Sequence, residues 1–139
     1  MYTTKKEIND LCYEILSAAI EVHKHLGPGL LESIYEKCLT FELRSRGFEV
    51  KNQVALPLVY KGNFLETELK LDLLVNDIVI VELKTVDCFN PINEAQLLSH
   101  LFLLALPKGI LINFKCRNIM KEGQKTLVTK SFFNLPDGY

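Results

Sequence analysis

No charge of either sign dominates this chain: sixteen Lys and Arg stand against seventeen Asp and Glu, a net charge of -1 in 139 residues. That balance excludes a strongly basic surface spread over the whole protein, although not a local basic cleft. There is no C-x-x-C pair, and Cys12, Cys38, Cys88 and Cys116 are too scattered, with no matching histidine spacing, to build a zinc site. We read them as reduced core thiols. No apolar run is long enough to span a bilayer: the longest, 97–106, is interrupted by Ser99 and His100, and the N-terminus is polar. The expectation is a cytoplasmic protein without membrane contact. No Pro/Gly/Ser-rich linker, repeat or low-complexity segment divides the chain, which predicts a single domain over residues 1–139. What is present is ordinary globular material, 48% hydrophobic and 24% charged, which excludes disorder, a collagen-like repeat and a long coiled coil.

The periodicity changes along the chain. Thr4 and Glu7 have the spacing of a capping box, and Ile8, Leu11, Cys12, Ile15, Ala19 and Val22 recur at helical intervals until Gly27-Pro28-Gly29 ends the helix. A second helix is predicted over 30–46, with Leu31, Ile34, Tyr35, Cys38 and Phe41 on one side and Gly47 at its C-terminal cap. Alternation then predicts a strand carrying Val54, Leu56, Leu58 and Tyr60, with Pro57 marking an edge and a turn at Lys61-Gly62-Asn63. The next strand places Leu65, Thr67, Leu69, Leu71 and Leu73 on one face and Glu66, Glu68, Lys70 and Asp72 on the other, before a turn at Asn76-Asp77. A doubly buried strand over 78–86 follows. Asn90-Pro91 opens an apolar helix over 92–106, and strands over 110–114 and 126–133 complete an α/β layout around one mixed sheet.

Charges inside an otherwise buried strand carry the most chemical information, because a carboxylate or ammonium stripped of water must find a partner, a metal or a shifted pKa. Glu82 and Lys84 are two apart and share a face, with Leu83 between them on the other. Asp72 ends the charged face of the preceding strand. An even-length loop at Asn76-Asp77 would separate Asp72 from Glu82, whereas an odd-length loop or a bulge would unite them. Asn and Asp tolerate the left-handed backbone that the odd connection uses. United, two carboxylates and a lysine form a set able to hold Mg²⁺ together with waters and a phosphate, the lysine orienting or deprotonating a water. A Glu-x-Lys pair by itself is more often a cross-strand ion pair, and it is the upstream acid that points to chemistry. Glu32 lies in the first turn of its helix, where the dipole alone favours an acid. Asn93, Gln96 and His100 form a polar stripe on the third helix that solvent exposure explains equally well. His23 and His25 lie on different faces of their helix, and neither is assigned to a metal.

Taken in order, Gly29-Leu30-Leu31-Glu32-Ser33-Ile34-Tyr35, Asp72-Leu73-Leu74-Val75, Val81-Glu82-Leu83-Lys84 and Glu94-Ala95-Gln96-Leu97-Leu98 resemble the GxxExxY proteins of the PD-(D/E)xK nuclease superfamily. The resemblance covers about 8–133. It implies an α/β, restriction-endonuclease-like core: a mixed sheet of about five strands with flanking helices. It also implies a Mg²⁺- or Mn²⁺-dependent nuclease acting on DNA or RNA. By the same resemblance Asp72 and Glu82 ligate the metal with the Leu83 carbonyl, and Lys84 positions the hydrolytic water. Glu32 adds a further acid, and Gln96 steadies the site or the phosphate. Tyr35 closes the motif and is a packing residue as readily as a site residue. Exonuclease-like branches of the superfamily carry a tyrosine four residues after the glutamine, where this chain has His100. The near-neutral charge favours a second reading, a non-catalytic nucleic-acid-binding or assembly subunit whose basic surface comes from a protein partner or a homodimer.

Overall fold

A computed structural model describes residues 4–138. The chain opens with two helices, α1 (Lys5–Leu26) and α2 (Glu32–Ser45), and continues into β1 (Val50–Ala55). A short hairpin, β2 (Val59–Tyr60) and β3 (Asn63–Phe64), precedes β4 (Lys70–Val75) and β5 (Val79–Lys84). Then come α3 (Pro91–Leu104), β6 (Lys108–Asn113), α4 (Ile119–Glu122), β7 (Gln124–Val128) and α5 (Lys130–Phe133). Five strands form one mixed sheet in the order β1-β4-β5-β6-β7, in which β5 and β6 are parallel and every other neighbour antiparallel. Helix α3 makes the crossover that a parallel pair requires. The expected mixed five-stranded sheet with flanking helices is therefore the observed architecture, in keeping with a restriction-endonuclease-like fold.

Each face of the sheet has its own core. Leu73, Val75, Val79, Val81, Leu83, Ile110 and Ile112 meet α1 and α2, while Leu71, Leu74, Ile80 and Leu111 meet Leu97 and Leu101 of α3. Both faces of β5 are thus covered, which is why its sequence reads as a continuous apolar run. Helix α3 lies close because β6 carries Gly109: a Cβ there would stand 2.8 Å from Leu97 Cδ1. The caps read from the sequence hold these helices. Thr4 Oγ1 accepts the Glu7 N–H, Asn90 and Asn93 form a reciprocal capping box, and Gly47 follows α2 at φ 92°. No helix among the described residues is long and apolar enough to cross a membrane.

Several expectations are corrected. Helix α2 buries Tyr35, Leu39 and Leu43, spaced four apart, whereas Leu31 and Phe41 are largely exposed and Ile34 partly so. Of the expected residues, Tyr35 lies on that stripe, Leu31 is in line with it but is the N-cap ahead of the helix, and Ile34 and Phe41 lie to its sides. The strand expected through Tyr60 ends at Ala55. Beyond Pro57 the chain makes the separate β2–β3 hairpin, turned by Lys61 and Gly62, both at positive φ. Residues 65–69 are not sheet. The strand expected over 126–133 ends at Val128 and gives way to α5, and the short helix α4 lies between the last two strands. Cys88 is exposed, so only Cys12 of the four cysteines is a fully buried core thiol.

Candidate active site

The connection between β4 and β5 decides which side chains meet. Val75 pairs with Val79, leaving a three-residue loop of Asn76, Asp77 and Ile78, with Asn76 and Asp77 at φ 50° and 57°. The loop is odd, and Asp72 stands opposite Glu82 in the register. The ladder itself runs only from Val75↔Val79 to Leu73↔Val81, so the strands part where the two acids face one another. On the other flank of β4, Asn52 pairs with Leu73 and Val54 with Leu71, while the backbone of Gln53, at φ 49°, does not pair with Asp72 in the ladder. Strict alternation fails here: Leu71 packs in the α3-side core, although Leu73 packs against α1 and α2.

Into this gap turns the Asp72 carboxylate. Its Oδ2 accepts the Leu83 N–H at 2.8 Å, replacing a ladder bond, and Gln53 Nε2 reaches Oδ1 at 3.4 Å. Because a strand residue directs its N–H and C=O to the same side, the Leu83 carbonyl also looks into the gap, beyond the end of the ladder. Burial pushes the Asp72 pKa up; the Leu83 N–H opposes the rise, the Glu82 charge adds to it, and Gln53 and Lys84 oppose it. Glu82 is only 5% exposed, and a buried carboxylate needs a partner. His100 of α3 supplies one through Nδ1 to Glu82 Oε2.

Lys84 ends β5 half-buried, its charge acting on both Asp72 and Glu32. The strand end is held by the Phe114 N–H on the Lys84 carbonyl at 3.0 Å and by the Asn113 side chain, which bonds both backbone groups of Val86. Glu32, in the first turn of α2, faces the same place. Loss of water raises its pKa; Lys84 lowers it, Asp72 raises it, the Thr85 N–H lowers it and Glu36 raises it. Gln96 is exposed on α3, one turn before His100 and on the same side of the helix.

The fold therefore gathers Asp72, Glu82, Lys84 and Glu32 at one end of the sheet, with the Leu83 backbone between them, and leaves Gln96 at the rim on α3. Three residues join them that the sequence did not single out for the site. Gln53 bridges Asp72 to Glu36 Oε1, the latter at 2.7 Å, and Glu36 follows Glu32 by one helical turn. His100, read in sequence as one of a solvent-facing stripe, partners the most buried acid. Its place four residues after Gln96 was the available signal, whereas Gln53 could be found only through the β1–β4 register.

No three His, Cys, Asp or Glu side chains among the described residues gather closely enough to hold a metal ion on their own. The oxygen donors at this end of the ladder are the carboxylates of Asp72 and Glu82 and the Leu83 carbonyl. That donor set suits a hard divalent cation which keeps waters or a phosphate as its remaining ligands. A family model described as the PD-(D/E)XK nuclease superfamily matches residues 9–127. No curated protein and no solved structure matches the chain.

Proposed function

The chain belongs to the PD-(D/E)XK nuclease superfamily, and from that premise we propose that it is a divalent-metal-dependent nuclease hydrolysing phosphodiester bonds of DNA or RNA. The observation that supports the proposal is the end of the β4–β5 ladder before Asp72 and Glu82, where Asp72 accepts the Leu83 N–H and feels the charges of Glu82 and Lys84. Asp72, Glu82 and the Leu83 carbonyl would hold the cation, Mg²⁺ or Mn²⁺. When bound, such a cation polarises the phosphate and offsets the charge that develops on it.

The remaining roles fall to the chain itself. The Leu83 N–H holds Asp72 Oδ2 and so fixes which oxygen faces the gap, and His100 does the same for Glu82. Lys84, whose charge interacts with Asp72 and Glu32, would orient the attacking water. Glu32 stands where it can take up a proton or hold the water's second hydrogen. Gln96, at the rim, reaches toward the phosphate backbone.

The test compares wild type, Asp72→Ala and Lys84→Ala at matched thermal stability on labelled single- and double-stranded DNA and RNA, with Mg²⁺, Mn²⁺ or EDTA. Cleavage by wild type alone, abolished by EDTA, is expected. Equal cleavage by all three would assign the activity to a contaminant or another site. One observation favours a non-catalytic nucleic-acid-binding or assembly subunit instead: Glu32, Glu36, Asp72 and Glu82 surround a single Lys84, in a chain of net charge -1. A wild type that cleaves nothing but binds nucleic acid only with a partner would select that reading.

A further inference from the structure

The tyrosine of the Gly29-x-x-Glu32-x-x-Tyr35 segment has no part in the chemistry above, yet it is completely buried. Its ring stacks on Phe114, centroids 4.3 Å apart and planes within 7°. Its hydroxyl donates to the Gly27 carbonyl and accepts the Leu30 N–H at 3.1 Å. The hydroxyl thus ties both ends of the Gly27-Pro28-Gly29 bend, which passes into the first turn of α2, where Glu32 stands. The ring rests on the residue whose N–H holds the Lys84 carbonyl.

We infer that Tyr35 is a positioning residue, a buried latch that sets the loop before α2 and thereby holds Glu32 against the Lys84–Thr85 end of β5. Helix α2 has no side-chain cap at Leu31, so nothing local fixes where its first turn begins. A glycine-bounded bend with Gly27 at φ 69° is soft on its own. The tyrosine hydroxyl supplies the missing constraint from within the core, by accepting a hydrogen bond from the Leu30 N–H at one end of the bend and donating one to the Gly27 carbonyl at the other. Tyr35 also links two parts of the site far apart in sequence, because its ring and the Lys84 backbone share Phe114.

The inference rests on the proposed nuclease reading for its activity arm only. Tyr35→Phe keeps the stack and removes the latch. Against wild type, Glu32→Gln and the double variant, two measurements decide. The Thr85 backbone amide resonance, which senses the Glu32 carboxylate, should move in Glu32→Gln and move in the same direction in Tyr35→Phe, with no further displacement in the double variant. In metal-dependent cleavage, Tyr35→Phe should lower kcat about 10-fold to 100-fold with KM unchanged, the cost of a sub-ångström to ångström misplacement, and should cost nothing further in the Glu32→Gln background. A Thr85 resonance left at its wild-type position, kcat losses that multiply in the double variant, or a Tyr35→Phe chain that does not fold would each overturn the latch. A wild type without cleavage would overturn the nuclease reading instead, and the Thr85 resonance would then decide the latch by itself.

Discussion

The two ends of the β4–β5 pair are built on opposite terms, though only a few residues separate them. At the closed end Val75, Leu74 and Leu73 pair with Val79, Ile80 and Val81, every side chain is apolar and buried, and the backbone satisfies itself. At the open end the same strands carry Asp72, Glu82 and Lys84, the ladder stops, and side chains take over its bonds. Burial at the closed end stabilises the fold in proportion to the apolar area removed from water. Burial at the open end opposes folding, since it raises the Asp72 pKa and leaves Glu82 dependent on one histidine. The closed end holds the strands in register so that the open end can keep its carboxylates where they are energetically unfavourable.

If that division is right, the two ends respond to substitution in different observables. The largest effect belongs to Lys84→Ala, which should lower metal-dependent cleavage by about 10²–10⁴-fold. Its melting should stay within about 1 kcal/mol of wild type, since charge interactions of a partly solvated group contribute little to stability. A large loss of stability without loss of rate would reverse the assignment of that end. Leu73→Ala, at the closed end, should cost about 2–5 kcal/mol in denaturant unfolding through the cavity it leaves, while residual folded protein cleaves at the wild-type kcat. A fallen kcat per folded molecule would mean that the ends are not separable.

His100→Ala sharpens the comparison from the α3 side. Partners of a ligating group typically contribute about 10–100-fold in metal affinity, so the Mn²⁺ concentration for half-maximal cleavage should rise by that factor. An unchanged Mn²⁺ dependence would leave His100 as a charge partner and no more. The smallest effect is thermodynamic. The folded-state pKa of Asp72 lies above its unfolded value, so the native state binds the extra proton and stability falls as pH rises from about pH 4 through the raised value. Asp72→Asn keeps an acceptor for the Leu83 N–H and removes that loss. In EDTA its melting temperature should exceed that of wild type near neutral pH, and the gain should vanish below about pH 4. A variant less stable than wild type at neutral pH would show that the open end contributes to the fold after all.

Much of this was legible in the chain. Buried charge in the Ile78 to Lys84 stretch drew attention to Glu82 and Lys84, and the left-handed tolerance of Asn76 and Asp77 made an odd-length turn chemically sound, as observed. The buried face of α2 was misread because Ile34 and Phe41 are apolar yet lie off the Tyr35-Leu39-Leu43 stripe, while Leu31, in line with it, is the N-cap ahead of the helix; hydrophobic character alone does not say which apolar residues find a neighbour. Helix α3 repeats the lesson: Phe102 is exposed, while the polar Asn93 is buried as part of its own cap.

The caps at Thr4 and Asn90, the apolar run of β5 and the placing of Glu82 and Lys84 on one face were decided locally, since they depend on hydrogen bonds and side-chain directions set within a few residues. Tertiary structure alone decided that Asp72 leaves its ladder to hold the Leu83 N–H, that Gln53 stands opposite it, that His100 reaches Glu82, and that Tyr35 ties the bend before Glu32. Each of these joins residues distant in the chain, and their meeting depends on strand register and helix packing. Those are properties of the whole fold's competition for burial and hydrogen bonds, which no local window contains.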